Sequence, residues 1–161
     1  MTEMPPVTIR AFQREDAPAT ATLFFRAVHE GARTRYSAAE CTAWCPEPPA
    51  GSSWVDRLAE AWTLVAETEG AEIAGFMSLT PEGVVDMAYV APKWMGKGVA
   101  LVLYSALIAR AREVGLARLT TDASHLARPF FERRGWRLLT EQQVERHGVR
   151  LTNFKMASDL A

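Results

Sequence analysis

A chain of 161 residues, 48% apolar and 23% charged, is long enough to bury one sizeable core and short for two. Eighteen Lys and Arg stand against 19 Asp and Glu, a formal net charge of −1, so no overall basic field exists to hold a polyanion and no nucleic-acid partner is expected. The longest apolar stretch, Val99 to Ala109, contains Tyr104 and Ser105 and falls well short of the roughly 20 residues of a bilayer span, so no membrane partner is expected either.

The N-terminal Met1-Thr-Glu-Met-Pro-Pro6 has no basic region followed by an apolar one, which points to a cytoplasmic address. Cys41 and Cys45 lie four apart, but the three histidines, His29, His125 and His147, are scattered and cannot complete a ligand set. The thiols read as buried and reduced, and no metal is expected.

In chain order, Val7 to Phe12 alternates as a strand, and Asp16 is placed to cap a helix whose apolar positions run from Ala17 to Val28 and fade near His29 to Gly31. Ser37-Ala-Ala-Glu40 has the spacing of a capping box for a short helix through Trp44, stopped by Pro46, Pro48 and Pro49. A further helix covers Trp54 to Glu60. Three strands follow, Thr63 to Glu67, Ile73 to Leu79 and Val84 to Val90, with turns at Glu69-Gly70 and Pro81-Glu-Gly83 short enough to make them antiparallel neighbours. The loop Ala91 to Gly98 feeds a long helix that Gly115 ends. Strand Arg118 to Asp122, helix Leu126 to Arg134, strand Trp136 to Val144 and strand Val149 to Met156 complete the chain. No repeat or linker divides it, so residues 1–161 read as one domain of α/β (α+β) class: a single mixed, mostly antiparallel sheet flanked by helices.

Met95-Gly96-Lys97-Gly98-Val99-Ala100 joins a strand to a helix, where unpaired N–H groups and the positive end of the helix dipole converge. Small residues at 96, 98 and 100 let an oxyanion approach the backbone, and Lys97 or Lys93 can add charge at the rim, so the loop suits a phosphate or pyrophosphate. No Ser or Thr follows the Gly-Lys pair, which excludes a Walker loop. Leu101 stands where a dinucleotide-binding fingerprint needs Gly or Ala.

These residues resemble the GCN5-related N-acetyltransferase (GNAT) superfamily, and in particular its small bacterial acetyltransferases. Val90-Ala-Pro92 followed by Met95-Gly-Lys-Gly98-Val-Ala100 is similar to that family's acyl-CoA motif. Ser124-His-Leu-Ala127-Arg-Pro-Phe130-Phe131-Glu-Arg-Arg-Gly135-Trp136 is similar to its second signature, and the resemblance covers essentially the whole chain. It implies a GNAT-like fold with acetyl-CoA as cosubstrate. Ala88, Tyr89 and Val90 would pair their backbone with the pantetheine arm. Met95, Gly96, Lys97, Gly98, Val99 and Ala100 would form the pyrophosphate loop, and Ser124, Ala127, Phe130 and Phe131 would line the thiol end. Three positions depart from the pattern: Met95 replaces Gln or Arg, Ser124 replaces Asn, and Phe131 stands where many members have the tyrosine that protonates the leaving thiolate.

Acetyl transfer to an amine needs a deprotonated nitrogen, donors for the developing oxyanion and a proton for the thiolate. Asp86, which interrupts an apolar strand just before the cofactor stretch, is the first candidate for base or water relay, the alternative being a salt-bridged aspartate. Tyr36 and His29 flank the break between the first two helices, where the family shapes its acceptor pocket. Each is a candidate for substrate binding or proton transfer, against a packing role. Ser124 could donate toward the thiolate or cap the helix after it. Trp44, with Trp54 and Trp62, could wall the acceptor site or belong to the core. The expected enzyme is an acetyl-CoA-dependent N-acyltransferase in which a primary amine of a small-molecule or peptide acceptor attacks directly in a ternary complex. The alternative is a non-catalytic acyl-CoA-binding or sensing module. A homodimer stays open, since no interface is identifiable.

Overall fold

The structure, a computed structural model, describes residues 5–160. The reading of Met1 to Met4 and the outer bounds of the expected domain fall outside that range. All seven strands join one sheet in the order β1-β2-β3-β4-β5-β7-β6. They are β1 Val7–Ala11, β2 Trp62–Thr68, β3 Ile73–Leu79, β4 Val84–Val90, β5 Arg118–Ala123, β6 Arg137–Arg146 and β7 Val149–Asp159. Only β4 and β5 run parallel; every other neighbouring pair is antiparallel. The mixed, mostly antiparallel sheet flanked by helices is therefore the fold found.

Helices α1 (Ala17–Arg26), α2 (Ala38–Trp44) and α3 (Ser52–Glu60) cover one face, and α4 (Val99–Glu113) and α5 (Arg128–Arg133) the other. All seven residues of β3 are buried, as a strand covered on both sides requires. Phe76 packs with Phe24, Val28, Trp54 and Leu58. Its neighbour Met77 points the other way, to Leu103, Leu107 and Phe131. Leu103 and Leu107 are fully buried, each a burial of about 1.5–3 kcal/mol. Among the described residues no helix is long and apolar enough to cross a membrane.

Local chemistry explains the boundaries. Ser37 Oγ accepts from the Glu40 N–H at 3.1 Å while Glu40 Oε1 accepts from the Ser37 N–H at 2.8 Å, so the expected capping box starts α2. At the end of α4, Gly115 takes φ +82°, with Leu116 N–H donating to Ala111 O and Gly115 N–H to Arg112 O, a Schellman closure. Asp16 corrects the expected cap. It has helical dihedrals and bonds no N–H of α1; its carboxylate accepts instead from the Gln13 N–H at 2.8 Å, because a 3₁₀ turn over Arg14–Asp16 runs straight into the helix. α1 is followed by a wider π-type turn at Ala27–Gly31 and a 3₁₀ turn at Ala32–Thr34, a more abrupt break than fading periodicity suggested. α5 is shorter than expected because Ser124 holds the Ala127 N–H in a turn ahead of it, whereas β6 and β7 run longer as a paired ribbon.

Two irregularities place the site. Ser78 lies opposite Met87 and Leu79 opposite Val85, so Asp86 is the extra residue of a β-bulge in β4. β4 and β5 pair only at Val84↔Thr120 and Val85↔Thr121, and past that point the strands separate.

Candidate functional site

Beyond β4 the chain makes a 3₁₀ turn at Pro92–Trp94 and enters α4 through Gly96 and Gly98, whose φ values are +75° and +87°. Those angles are open to glycine at no steric cost. A Cβ on Gly96 would meet nothing within 4 Å, so the bare backbone there borders open space. The first N–H groups of the 15-residue α4 have no acceptor within the helix and carry the positive end of its dipole. Met95 holds this loop by packing: the space a Cβ on Gly31 would need is filled by the Met95 Cε. An apolar contact thus ties the loop to the break after α1, at the position where the resembled motif has a polar side chain.

A cavity of about 600 Å³ opens beside the loop. Its lining includes Ala27, Ala32 and Trp44 from one layer of helices and Val99, Ala100, Phe130 and Phe131 from the other, so it passes through the sheet where β4 and β5 part. Ala88, Tyr89 and Val90 form the β4 edge of that gap, and Met95, Gly96, Gly98, Ser124 and Ala127 line its mouth. Of the residues singled out from the sequence for this site, these and Trp44 come together around one volume.

Others do not line it. The Lys97 ammonium lies 5.5 Å over the Trp94 ring. Asp86 is bound by Arg57, with Nε to Oδ2 at 2.8 Å and Nη2 to Oδ1 at 3.0 Å. His29 stacks on Phe25 with ring centroids 4.2 Å apart, and its Nε2 lies 2.6 Å from the Cys45 carbonyl oxygen. Tyr36 is buried, its hydroxyl donating to Thr152 O at 2.7 Å and accepting from the His125 N–H at 2.9 Å. Burial pushes its phenol pKa up. Tyr36 therefore clips the segment before α2 to β7 and to the Ser124–Ala127 turn on the cavity wall. Ser124 accepts from the Ala127 N–H at 3.1 Å and so closes the turn ahead of α5; the N-cap of the helix itself is Ala127, which corrects the capping alternative.

Trp54 and Trp62 do not wall the cavity. Trp54 is a core residue whose Nε1–H donates to Ala17 O and Thr20 Oγ1, and Trp62 packs on the opposite face under the Arg110 guanidinium. Trp44 and Tyr89, with ring centroids 6.3 Å apart, make the aromatic end. Burial raises the Tyr89 phenol pKa well above its ordinary value, so it remains a hydroxyl donor across the neutral range. Sequence reasoning used only the backbone of Tyr89, and missed Ala27, Ala32, Met77, Trp94, Leu101, Leu126, Arg133 and Arg134 as lining residues. A signal existed for Arg134, which stands four residues after Phe130 on a helix and therefore over it.

The family model for the acetyltransferase (GNAT) domain matches residues 32–158. The uncharacterized N-acetyltransferase YafP of Escherichia coli strain K12 is 37% identical over 150 residues, 93% of this chain and 94% of that protein. The crystal structure of a GCN5-related N-acetyltransferase from Rhodopseudomonas palustris superposes with a TM-score of 0.92 at 31% identity, covering 99% of each chain. A phosphinothricin acetyltransferase from Sinorhizobium meliloti, solved in complex with acetyl-CoA, superposes with a TM-score of 0.75 at 19% identity over 97% of this chain and 89% of that one.

Proposed function

Because the chain belongs to the GNAT acetyltransferase family and is an acetyl-CoA-dependent acyltransferase, we propose that it acetylates a primary amine of a small-molecule or peptide acceptor, as one catalytic domain acting in the cytoplasm. The observation that carries this reading is the cavity running through the sheet, from the glycine loop at the start of α4 to the aromatic end at Trp44 and Tyr89. One end has backbone donors for an anion and the other an aromatic wall for an acceptor. A structure solved with acetyl-CoA in the same fold supports the assignment of the donor.

The residues present fit that donor. The N–H groups from Gly96 to Ala100 hold the pyrophosphate, with Met95 and Val99 fixing the loop by packing and Lys97 as an outer charge. The unpaired edge of Ala88, Tyr89 and Val90 takes the pantetheine amides, and Ser124, Ala127, Phe130 and Phe131 enclose the thiol end. Acetyl-CoA would supply the activated acetyl thioester: in a ternary complex, with no covalent enzyme intermediate, the amine nitrogen bonds the carbonyl carbon, the C–S bond breaks, and the proton lost by the amine balances the one gained as coenzyme A leaves as the thiol. N–H groups in the Met87 to Tyr89 region, re-aimed by the bulge at Asp86, donate to the carbonyl oxygen as it gains charge. Phe131 is 1% exposed and carries no hydroxyl; the hydroxyl-bearing residues on the wall are Tyr89, beside Trp44 at the acceptor end, and Ser124 at the thiol end.

In this reading Asp86, Tyr36 and His29 are positioning residues. Asp86 works through Arg57 on the bulge, Tyr36 through the turn before α5, and His29 through the chain that follows Trp44. Initial-velocity measurements with acetyl-CoA and a panel of amines test the mechanism. A ternary-complex enzyme gives intersecting double-reciprocal lines, and parallel lines would refute direct attack.

A further inference from the structure

The cavity wall is charged on one side. Among the described residues, the charged side chains that line it are Arg133 and Arg134, at the end of α5. Neither forms an ion pair there, although Arg128 on the same helix is paired with Glu132. Arg134 is half-buried. Its Nη1 donates to Phe130 O at 2.9 Å, and its guanidinium stacks 3.9 Å from the Phe130 ring centroid and 5.9 Å from that of Tyr104. Its Nε is buried with no hydrogen-bond partner among the described residues.

A buried donor left unpaired costs about 1–3 kcal/mol, and more when the group is charged. Stacking on Phe130 offsets part of that and fixes the plane of the guanidinium, but supplies no counter-charge. The Nε itself has no exposed surface, but a guanidinium held flat on a ligand cavity with no counter-charge is matched, through its outer nitrogens, by an anion with several acceptor oxygens. The uncharged amides of the α4 loop face the same mouth and are already assigned to the pyrophosphate. Coenzyme A has one further phosphate, a monoester with close to two charges near neutral pH. Such a dianion calls for guanidinium groups more than for amides.

We propose that Arg134, assisted by Arg133, binds the ribose 3′-phosphate of coenzyme A and so makes the enzyme discriminate between CoA and dephospho-CoA. This rests on the reading of the cavity as a CoA site. Calorimetric titration of the whole protein with CoA and with dephospho-CoA tests it. The wild type should bind dephospho-CoA at least tenfold more weakly than CoA. In R134Q the affinity for CoA should fall by about that factor while the affinity for dephospho-CoA changes less than twofold. R133Q, altered at an exposed side chain, should lower the affinity for CoA by a smaller factor and leave that for dephospho-CoA within twofold, and it carries the test if R134Q melts early. Equal binding of the two ligands by the wild type, or an equal loss for both in the folded variant, would overturn the proposal. A wild type that binds neither would overturn the CoA reading itself, and this inference with it.

Discussion

Arg57 grips Asp86 with two parallel hydrogen bonds of 2.8 and 3.0 Å, joining α3 to the one extra residue in β4. Both carboxylate oxygens are engaged, which supports the proposal that the side chain acts through the shape of the strand. D86N and R57Q should each lower kcat/KM several-fold, the double variant should be no worse than either, and the pH profile of kcat/KM should keep its shape. A loss of a hundredfold or more in D86N alone, with the acid limb of the profile removed, would make Asp86 the base.

Tyr36 is the buried clip between the segment before α2, β7 and the Ser124–Ala127 turn. Y36F removes two hydrogen bonds and leaves the Thr152 carbonyl and the His125 N–H without that partner, at a cost of about 1–3 kcal/mol. Denaturant melts should register that loss, and calorimetry should show weaker binding of acetyl-CoA because the turn borders its cavity. Unchanged stability together with a large fall in kcat would instead assign Tyr36 to chemistry.

How far the chain alone could be read depended on the range of the interaction. The capping box at Ser37, the glycine stop of the long helix at Gly115, and the three strands from Thr63 to Val90 are set by neighbours a few residues away, and all stand where expected. The acyl-CoA motif was equally local, since backbone shape rather than distant side chains defines it. What was not legible depended on partners far along the chain. Arg57 lies 29 residues from Asp86, the Tyr36 hydroxyl reaches Thr152, and His29 is stacked on Phe25 and held at the Cys45 carbonyl. Periodicity names such residues without saying what they face. Trp54 shows the same limit: its spacing fits a core or a cavity wall equally, and only its hydrogen bonds to Ala17 and Thr20 decide for the core.

Arg10 binds Asp16 at 2.8 and 2.9 Å and also reaches Glu67; the Arg10 bonds, with the Gln13 N–H, hold the Asp16 carboxyl below the usual carboxylate range. A depressed folded pKa contributes stability that is complete above the unfolded value, near 4, and is lost as pH falls through the folded one. D16N should therefore be less stable than the wild type by about 1–3 kcal/mol at pH 7. That gap should narrow steadily as urea melts are repeated below pH 4. A gap that does not change with pH would mean that packing, and not charge, accounts for it.

Cys41 and Cys45 are 1% and 3% exposed, and burial raises both thiols, that of Cys45 to about 11. Only thiolate reacts readily, so a thiol-disulfide reagent at pH 7 should leave the native protein unmodified and label both cysteines after denaturation. Fast labelling of the native protein would contradict the buried, protonated state and reopen a covalent role for a cysteine.

If the amides between Gly96 and Ala100 hold the pyrophosphate of acetyl-CoA, calorimetry on the wild type and on G98E will show it. The wild type should bind acetyl-CoA saturably and one to one and NAD not at all, and G98E, whose carboxylate would stand at the anion site, should bind no acetyl-CoA. Because Gly98 has φ +87°, G98A supplies the control for backbone strain and should retain more binding than G98E. A folded G98E that still binds acetyl-CoA with wild-type affinity would mean that the pyrophosphate lies elsewhere.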